Sequence, residues 1–382
     1  MLTDYAKILR GVEMKNILVF FGGVSCEHEV SVITGVMTAN CLSAKARVFP
    51  IYADTKGRWH TGERLKDLSW YKTRDFKTVC EVTVLPGDNA LYAVKHGRLK
   101  TICKADAAIN CMHGVNGEDG TLAGVMRLSK IAFASPGLFP SSVAMDKYFT
   151  KLALKGIGVD CLPYVKLNRT NYIKKRDLAA KYVSKTLGFP VIIKPANLGS
   201  SIGISVAKDK TSFWRALDKA FLYDDKVIAE KALTDFREIN CACIKIGEKY
   251  LVSECEEPKL SGDILSFADK YSGKTQSVFP AAIDEKISRR IKDITSYVYR
   301  KLDFTGAVRI DFLLCGEKIY VNEINSVPGS LAYYLFVDST EKFCELLLES
   351  TECAIEDEID RESNVYTYSS GILNAESAKI RK

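Results

Sequence analysis

The 382 residues are 47% hydrophobic and 26% charged, an ordinary globular balance that excludes a disordered or fibrous chain. Lys and Arg number 54 against 47 Asp and Glu, and the formal charge of +7 is a mild excess that suits small anionic ligands without requiring nucleic acid. Twelve cysteines without one C-x-x-C pair exclude a zinc or disulfide framework, and no apolar run reaches the ~18 residues of a membrane span.

Two or three domains are expected at this length. Residues 1–13 read as a loose extension, because they lack a signal-peptide apolar region and Met14 directly precedes the first strand. "NILVFFGG" is an apolar strand ending in glycines, and "VSCEHEVSVITGVMTANCL" reads as the helix after it, the opening of a βαβ unit. "ARVFPIYAD" is a second strand. Residues 55–100 resemble an inserted set of hairpins, and "ADAAINCMHG" returns to the parallel-sheet style. Cysteines inside such apolar runs look like small buried hydrophobes of a reducing cytoplasm. "TLAGVMRLSKIAFA" is helix then strand. These pieces predict an α/β, Rossmann-like domain over residues 14–135.

"SSVAMDKYFTKLALKGIG" reads as one helix, with Ser at its start and Gly at its end. "CLPYVKL", "RDLAAKYVSKTLG", "FPVIIKPA", "ISVA", "SFWRALDKAFLYD" and "KVIAEKAL" alternate strand and helix, an α+β unit over 136–233. The basic run Lys174 to Arg176 is a solvated helix start. Strand-rich text then fills 234–350, with the helix "KISRRIKDITSYVYRKLD" inside it, and 351–382 is a C-terminal extension.

The chemistry concentrates in "AVRIDFLLCGEKIYVNEIN". A three-residue loop at Gly316–Lys318 sets Asp311 opposite Glu323 and Arg309 opposite Asn325, all on one face. Val308, Ile310, Phe312, Tyr320 and Ile324, or their neighbours, then make the other face. Facing carboxylates repel unless a cation lies between them. Two carboxylates and an amide oxygen form a hard donor set, suited to Mg²⁺ or Mn²⁺. The competing reading is a solvated polar face with a salt bridge. It is outweighed by the following "SVPGS", whose Pro-Gly turn offers a free backbone N–H.

"VIIKPANLGSSIGIS" is not a Walker A loop, since its lysine lies upstream on the strand. Lys194 can reach phosphates from the sheet while Ser200 and Ser201 close over them. Taken alone, the loop suits a plain hairpin turn equally well. Glu27 sits at a helix start, where an acid also satisfies the dipole. His113 lies in a glycine-rich loop after a strand, a common ligand position in α/β sheets.

Together "VFFGGVSCEHEVS", "MHGVNGEDGTLAG", "SSVAMDKYFTK", "IIKPANLGSSIGIS", "ADKY", "RIDFLL" and "VNEINSVPGS" resemble the D-alanine–D-alanine ligases of the ATP-grasp superfamily, from about Asn16 to Leu335. The resemblance implies a two-lobed ATP-grasp fold after the N-terminal domain. It implies that Lys147 and Lys194 meet ATP phosphates, with Ser200 and Ser201 in the covering loop and Lys270 at the γ-phosphate. Glu230, Lys231, Leu233 and Glu238 match adenine and ribose contacts, although "EKALTDFRE" is one residue longer than usual. Asp311, Glu323 and Asn325 match the ligands of two Mg²⁺ ions, and Arg309 with the Gly329 N–H matches the oxyanion site. Glu27 matches the group holding the first substrate's ammonium and forms a hydrogen-bonded triad with Ser200 and Tyr271. His113 matches a histidine near the first D-alanine.

The implied reaction is ATP-dependent joining of two D-alanines through an acyl phosphate, for peptidoglycan precursors, in a cytoplasmic homodimer. One departure is "GSLAYYLF", where Tyr333 and Tyr334 stand in the acceptor region. D-Serine, D-lactate or another amino acid is therefore an alternative acceptor. A dinucleotide-dependent oxidoreductase fits less well, because "FGGVSCEHE" is not G-x-G-x-x-G and Asp311, Glu323 and Asn325 would have no task. A non-catalytic nucleotide sensor is a third alternative, against which the intact lysines and metal-ligand candidates argue only weakly.

Overall fold

The computed structural model describes residues 14–259 and 277–370. Its first strand, β1 (Asn16–Gly22), is excluded from solvent from Ile17 to Phe21. A strand apolar on both faces belongs inside a covered sheet. It leads into α1 (His28–Leu42) and then β2 (Arg47–Ala53), which pairs with β1 in parallel. The hairpin text continues this sheet instead of standing apart from it. Strands β3 (Trp59–Thr61), β4 (Cys80–Leu85), β5 (Asp88–Lys95) and β6 (Arg98–Lys104) add on antiparallel beyond β2. His96 and Gly97 join the last two with φ of 49° and 74°, the left-handed pair that matches strand twist in a two-residue hairpin. On the other side of β1 lie β7 (Ala107–Asn110) and β8 (Ala132–Phe133), completing eight strands in the order β6-β5-β4-β3-β2-β1-β7-β8. Between them runs α2 (Thr121–Leu128).

The single helix expected over "SSVAMDKYFTKLALKGIG" is two, α3 (Leu138–Met145) and α4 (Lys147–Gly156). Asp146 separates them. Its backbone is extended and its carboxylate accepts from the N–H groups of Tyr148 and Phe149, an N-cap that periodicity alone does not reveal.

The second sheet has the order β11-β10-β12-β9, from β9 (Tyr164–Asn168), β10 (Val191–Pro195), β11 (Ser205–Ala207) and β12 (Lys226–Lys231). Helices α5 (Arg176–Leu187) and α6 (Lys210–Ala220) cover one face, packing Val183, Phe213 and Leu217 on Val191, Ile193 and Val227. The other face, with Ile192, Lys194 and Glu230, is left for a cavity.

The third sheet, β14-β13-β17-β18, uses β13 (Arg237–Ile246), β14 (Lys249–Val252), β17 (Val308–Cys315) and β18 (Lys318–Asn325). The short strands β15 (Glu257–Pro258) and β16 (Ser277–Val278) pair beside it. Helix α7 (Glu285–Lys301) buries Ile291, Val298 and Tyr299 against its apolar face. The last helix, α8 (Thr340–Glu362), runs past residue 350 and returns to the first sheet, where Phe343 and Leu347 join Val32 and Val36 of α1. Among the described residues no helix is long and apolar enough to cross a membrane.

Candidate active site

The β17–β18 ladder pairs Arg309 with Asn325 and Asp311 with Glu323, and all four line one cavity of ≈ 870 Å³. The route to that register differs from the expected one. Cys315 pairs with Lys318, so the turn has two residues and not three, and a bulge at Asn322 restores the missing residue before Glu323. The bulge also sets the apolar face. Of the two options left open, the neighbours of Tyr320, Ile319 and Val321, are the ones that enter the core.

Arg309 grips Asp311 in a two-pronged ion pair, with Nε and Nη2 donating at 2.7 and 2.9 Å, and Asn325 Nδ2 donates to the same carboxylate at 2.9 Å. Glu323 lies 4.0 Å from Lys147 Nζ. No group of three or more His, Cys, Asp or Glu side chains gathers to hold a metal among the described residues. The available donors are the two facing carboxylates and the Asn325 amide, all able to offer oxygen, which fits a hard divalent cation and not zinc.

Lysines form the next wall. Because Asp146 starts α4, Lys147 is its first residue, and its Nζ donates to the Leu198 carbonyl in the glycine loop at 2.6 Å. Lys194 on β10 lies 2.6 Å from Glu230 and donates to Asn322 Oδ1 at 3.1 Å. Glu230 is buried. Burial opposes its charge, but Lys151 and Lys194 outweigh that and hold its carboxyl down at about 2. The loop between β10 and β11 carries Ser200 and Ser201 at φ of 51° and 57°, left-handed positions uncommon for non-glycine residues. Ser200 Oγ donates to Glu27. Gly199 faces the same carboxylate so closely that a Cβ there would sit 2.8 Å from Glu27 Oε2.

At the far end His113 is buried and neutral. Exclusion from water lowers its imidazole to about 4, and its Nε2 lies 3.2 Å from Thr34 Oγ1. The same hydroxyl accepts from Ser330 N–H at 3.1 Å. Ser330, Leu331 and Ala332 follow Gly329 as a left-handed run with φ of 51–53°. Glu118 bridges two loops, accepting from Gly114 N–H at 2.7 Å and from Val327 N–H at 3.4 Å. Burial, with Glu27 adding to it, pushes its carboxyl up to about 8.

Residues 16–136 match the family model described as the D-ala D-ala ligase N-terminus, and 153–343 match the D-ala D-ala ligase C-terminus. The chain belongs to the D-alanine–D-alanine ligase family. A D-alanine–D-alanine ligase of Thermosipho africanus is 34% identical over 375 residues, 96% of this chain and all of the relative. The Helicobacter pylori D-alanine–D-alanine ligase structure aligns with a TM-score of 0.73 at 30% identity, over 90% of this chain and 98% of that one. The VanG D-Ala:D-Ser ligase of Enterococcus faecalis aligns at 0.76 and 28%, over 89% of this chain and all of that one. The architecture, mixed α/β with several sheets, is that of the family's ATP-grasp fold.

Of the residues picked from sequence, Glu27, His113, Lys147, Lys194, Ser200, Ser201, Glu230, Leu233, Glu238, Arg309, Asp311, Glu323, Asn325, Gly329 and Tyr334 line the ligase-family cavity. Two do not. Lys231 turns its ammonium toward Gly188, and Tyr333 packs against Phe343 with ring centroids 5.1 Å apart. Lys270 and Tyr271 lie outside the described residues. Sequence reading missed Thr34, Glu118, Lys151 and Asn322. Only Lys151 carried a usable signal, four residues after Lys147 and so on the same helix face.

Proposed function

We propose that this chain joins two D-alanines to D-alanyl-D-alanine while converting ATP to ADP and phosphate. What supports the reading most is one cavity that brings together the lysines at 147 and 194, the facing acids Asp311 and Glu323, and Glu27 beside Ser200. The carboxylate of the first D-alanine attacks the γ-phosphorus, the bond to the β–γ bridging oxygen breaks, and ADP leaves. The amine of the second D-alanine attacks the acyl phosphate, loses a proton, and expels phosphate.

Lys147 and Lys194, with Lys270, offset phosphate charge. Ser200 and Ser201 cover the phosphates, and Glu230, Leu233 and Glu238 take the adenosine. Asp311, Glu323 and Asn325 would hold Mg²⁺ or Mn²⁺, as two ions, which supply charge stabilisation to phosphoryl transfer when bound. Glu27 receives the first substrate's ammonium, held by Ser200, with His113 close by. Arg309 and the Gly329 N–H stabilise the tetrahedral oxyanion, where losing one donor lowers the rate by ~10²–10³. Tyr334 borders the acceptor.

The curated relatives are D-alanine–D-alanine ligases, which favours D-alanine over D-serine or D-lactate as acceptor. We read 14–135, 136–233 and 234–350 as N-terminal, central and C-terminal domains of a cytoplasmic homodimer, and mass measurement in solution tests the dimer. ADP release, measured with D-alanine alone and with D-alanine paired with D-serine or D-lactate, tests the reaction. Release with D-alanine alone is expected. No amino-acid-dependent ADP would defeat the ligase reading.

A further inference from the structure

Lys151 is 1% exposed and does not line the cavity, yet it is one of two cations on a single carboxylate. Its Nζ is 2.8 Å from Glu230 Oε1, and Lys194 Nζ is 2.6 Å from Glu230 Oε2. Taking a second ammonium out of water costs several kcal/mol. A Glu230–Lys194 pair alone would satisfy the carboxylate at lower cost.

What the extra cation changes is Lys194. In a one-to-one pair the charges cancel, and an incoming phosphate would meet a neutral wall. With Lys151 added, the three groups carry a net positive charge. Lys151 also occupies one carboxylate oxygen, so Lys194 is confined to the other. Lys194 then keeps its ion pair with Glu230 and donates one hydrogen bond, to Asn322, so ammonium protons remain for a ligand oxygen. Helix α4 delivers Lys147 to the cavity from the same face, so one helix sets both phosphate-facing lysines.

We propose that Lys151 is a positioning residue for the nucleotide, acting through Glu230 to keep Lys194 charged toward and directed at the phosphates without touching them. This rests on the ATP-ligase reading. The test is steady-state kinetics of Lys151→Met and Lys151→Arg, with folding followed by circular dichroism. Lys151→Met is expected to raise the KM for ATP by ~10-fold or more, the scale of one charged hydrogen bond, and to leave the KM for D-alanine within about twofold. Lys151→Arg is expected to restore most of the ATP affinity. In a Glu230→Gln background the Lys151→Met change should add less than about twofold, since its route is already cut.

An unchanged ATP KM in folded Lys151→Met overturns the proposal, as does a parallel rise for both substrates. Should Lys151→Met not fold, the Glu230→Gln pair decides, because full additivity there also overturns it. Wild-type protein without D-alanine-dependent ADP release would instead sink the ligase reading, so the two failures are distinct.

Discussion

Asp311 and Glu323 face each other, but their surroundings separate them. Asp311 is buried and gripped by Arg309 and Asn325, whereas Glu323 is 24% exposed at its side chain. Replacing either with Ala should abolish ATP turnover. Only Asp311→Ala leaves a half-buried guanidinium without its ion-pair partner, which destabilises by at most the ~3–5 kcal/mol of a fully buried pair. A lower melting temperature is therefore expected for Asp311→Ala and a near wild-type one for Glu323→Ala. Equal melting of both variants would show that the Arg309 pair does not support the fold. Glu118 gives a pH signature. Its folded carboxyl is raised to about 8 from an ordinary value of 4.5. The folded state thus binds the proton more tightly than the unfolded chain. The resulting stabilisation is full below about 4.5 and is lost as pH rises through about 8. Urea unfolding of the unliganded protein should show wild type weakening across this window, while Glu118→Gln, unable to ionise, stays flatter. Identical slopes would rule Glu118 out as the source.

Elements were legible where one physical signal dominated. The apolar run Ile17–Phe21 predicts a covered strand, and alternation in β17 and β18 predicts which side chains share a face. Turn length was not legible, because a bulge can restore what a shorter turn removes, and both patterns place Asp311 opposite Glu323. The break between α3 and α4 was hidden for a similar reason. Apolar spacing continues through Asp146, and only its cap bonds to Tyr148 and Phe149 reveal the new start. That break sets the direction of Lys147. Asp146→Ala removes the cap, worth ~1 kcal/mol, together with the ion pair to Lys226. We expect a lower melting temperature and a raised ATP KM, since α4 can then begin elsewhere and carry Lys147 with it. A raised KM that a designed Ser or Asn cap fails to relieve would assign the effect to the ion pair instead.

The cavity is a product of the whole chain, which is why much of it escaped sequence reading. Its walls run from Cys26 to Tyr334 and include contacts between segments about 300 residues apart, such as Ser330 N–H to Thr34 Oγ1 with a separation of 296. Thr34 has no local signature, being one of three small hydroxyl residues, with Ser31 and Thr38, buried on the same helix face. Yet it ties α1 to the turn after Gly329. That turn keeps Ser330, Leu331 and Ala332 left-handed, at roughly 1–2 kcal/mol for each such non-glycine residue. Burial of Leu331 and Ala332 offsets part of this, and the Thr34 bond holds the turn's first amide. Thr34→Val keeps the side-chain shape and deletes the acceptor, leaving the Ser330 N–H without it, a loss of ~1–3 kcal/mol when such a group is buried. The turn should relax and carry the Gly329 N–H with it. The KM for D-alanine is expected to rise by ~10-fold while ATP affinity stays level, because the nucleotide walls belong to other sheets. Kinetics with each substrate varied in turn separate the outcomes. Unchanged D-alanine kinetics in a folded Thr34→Val protein would mean that burial of Leu331 and Ala332 alone fixes the turn.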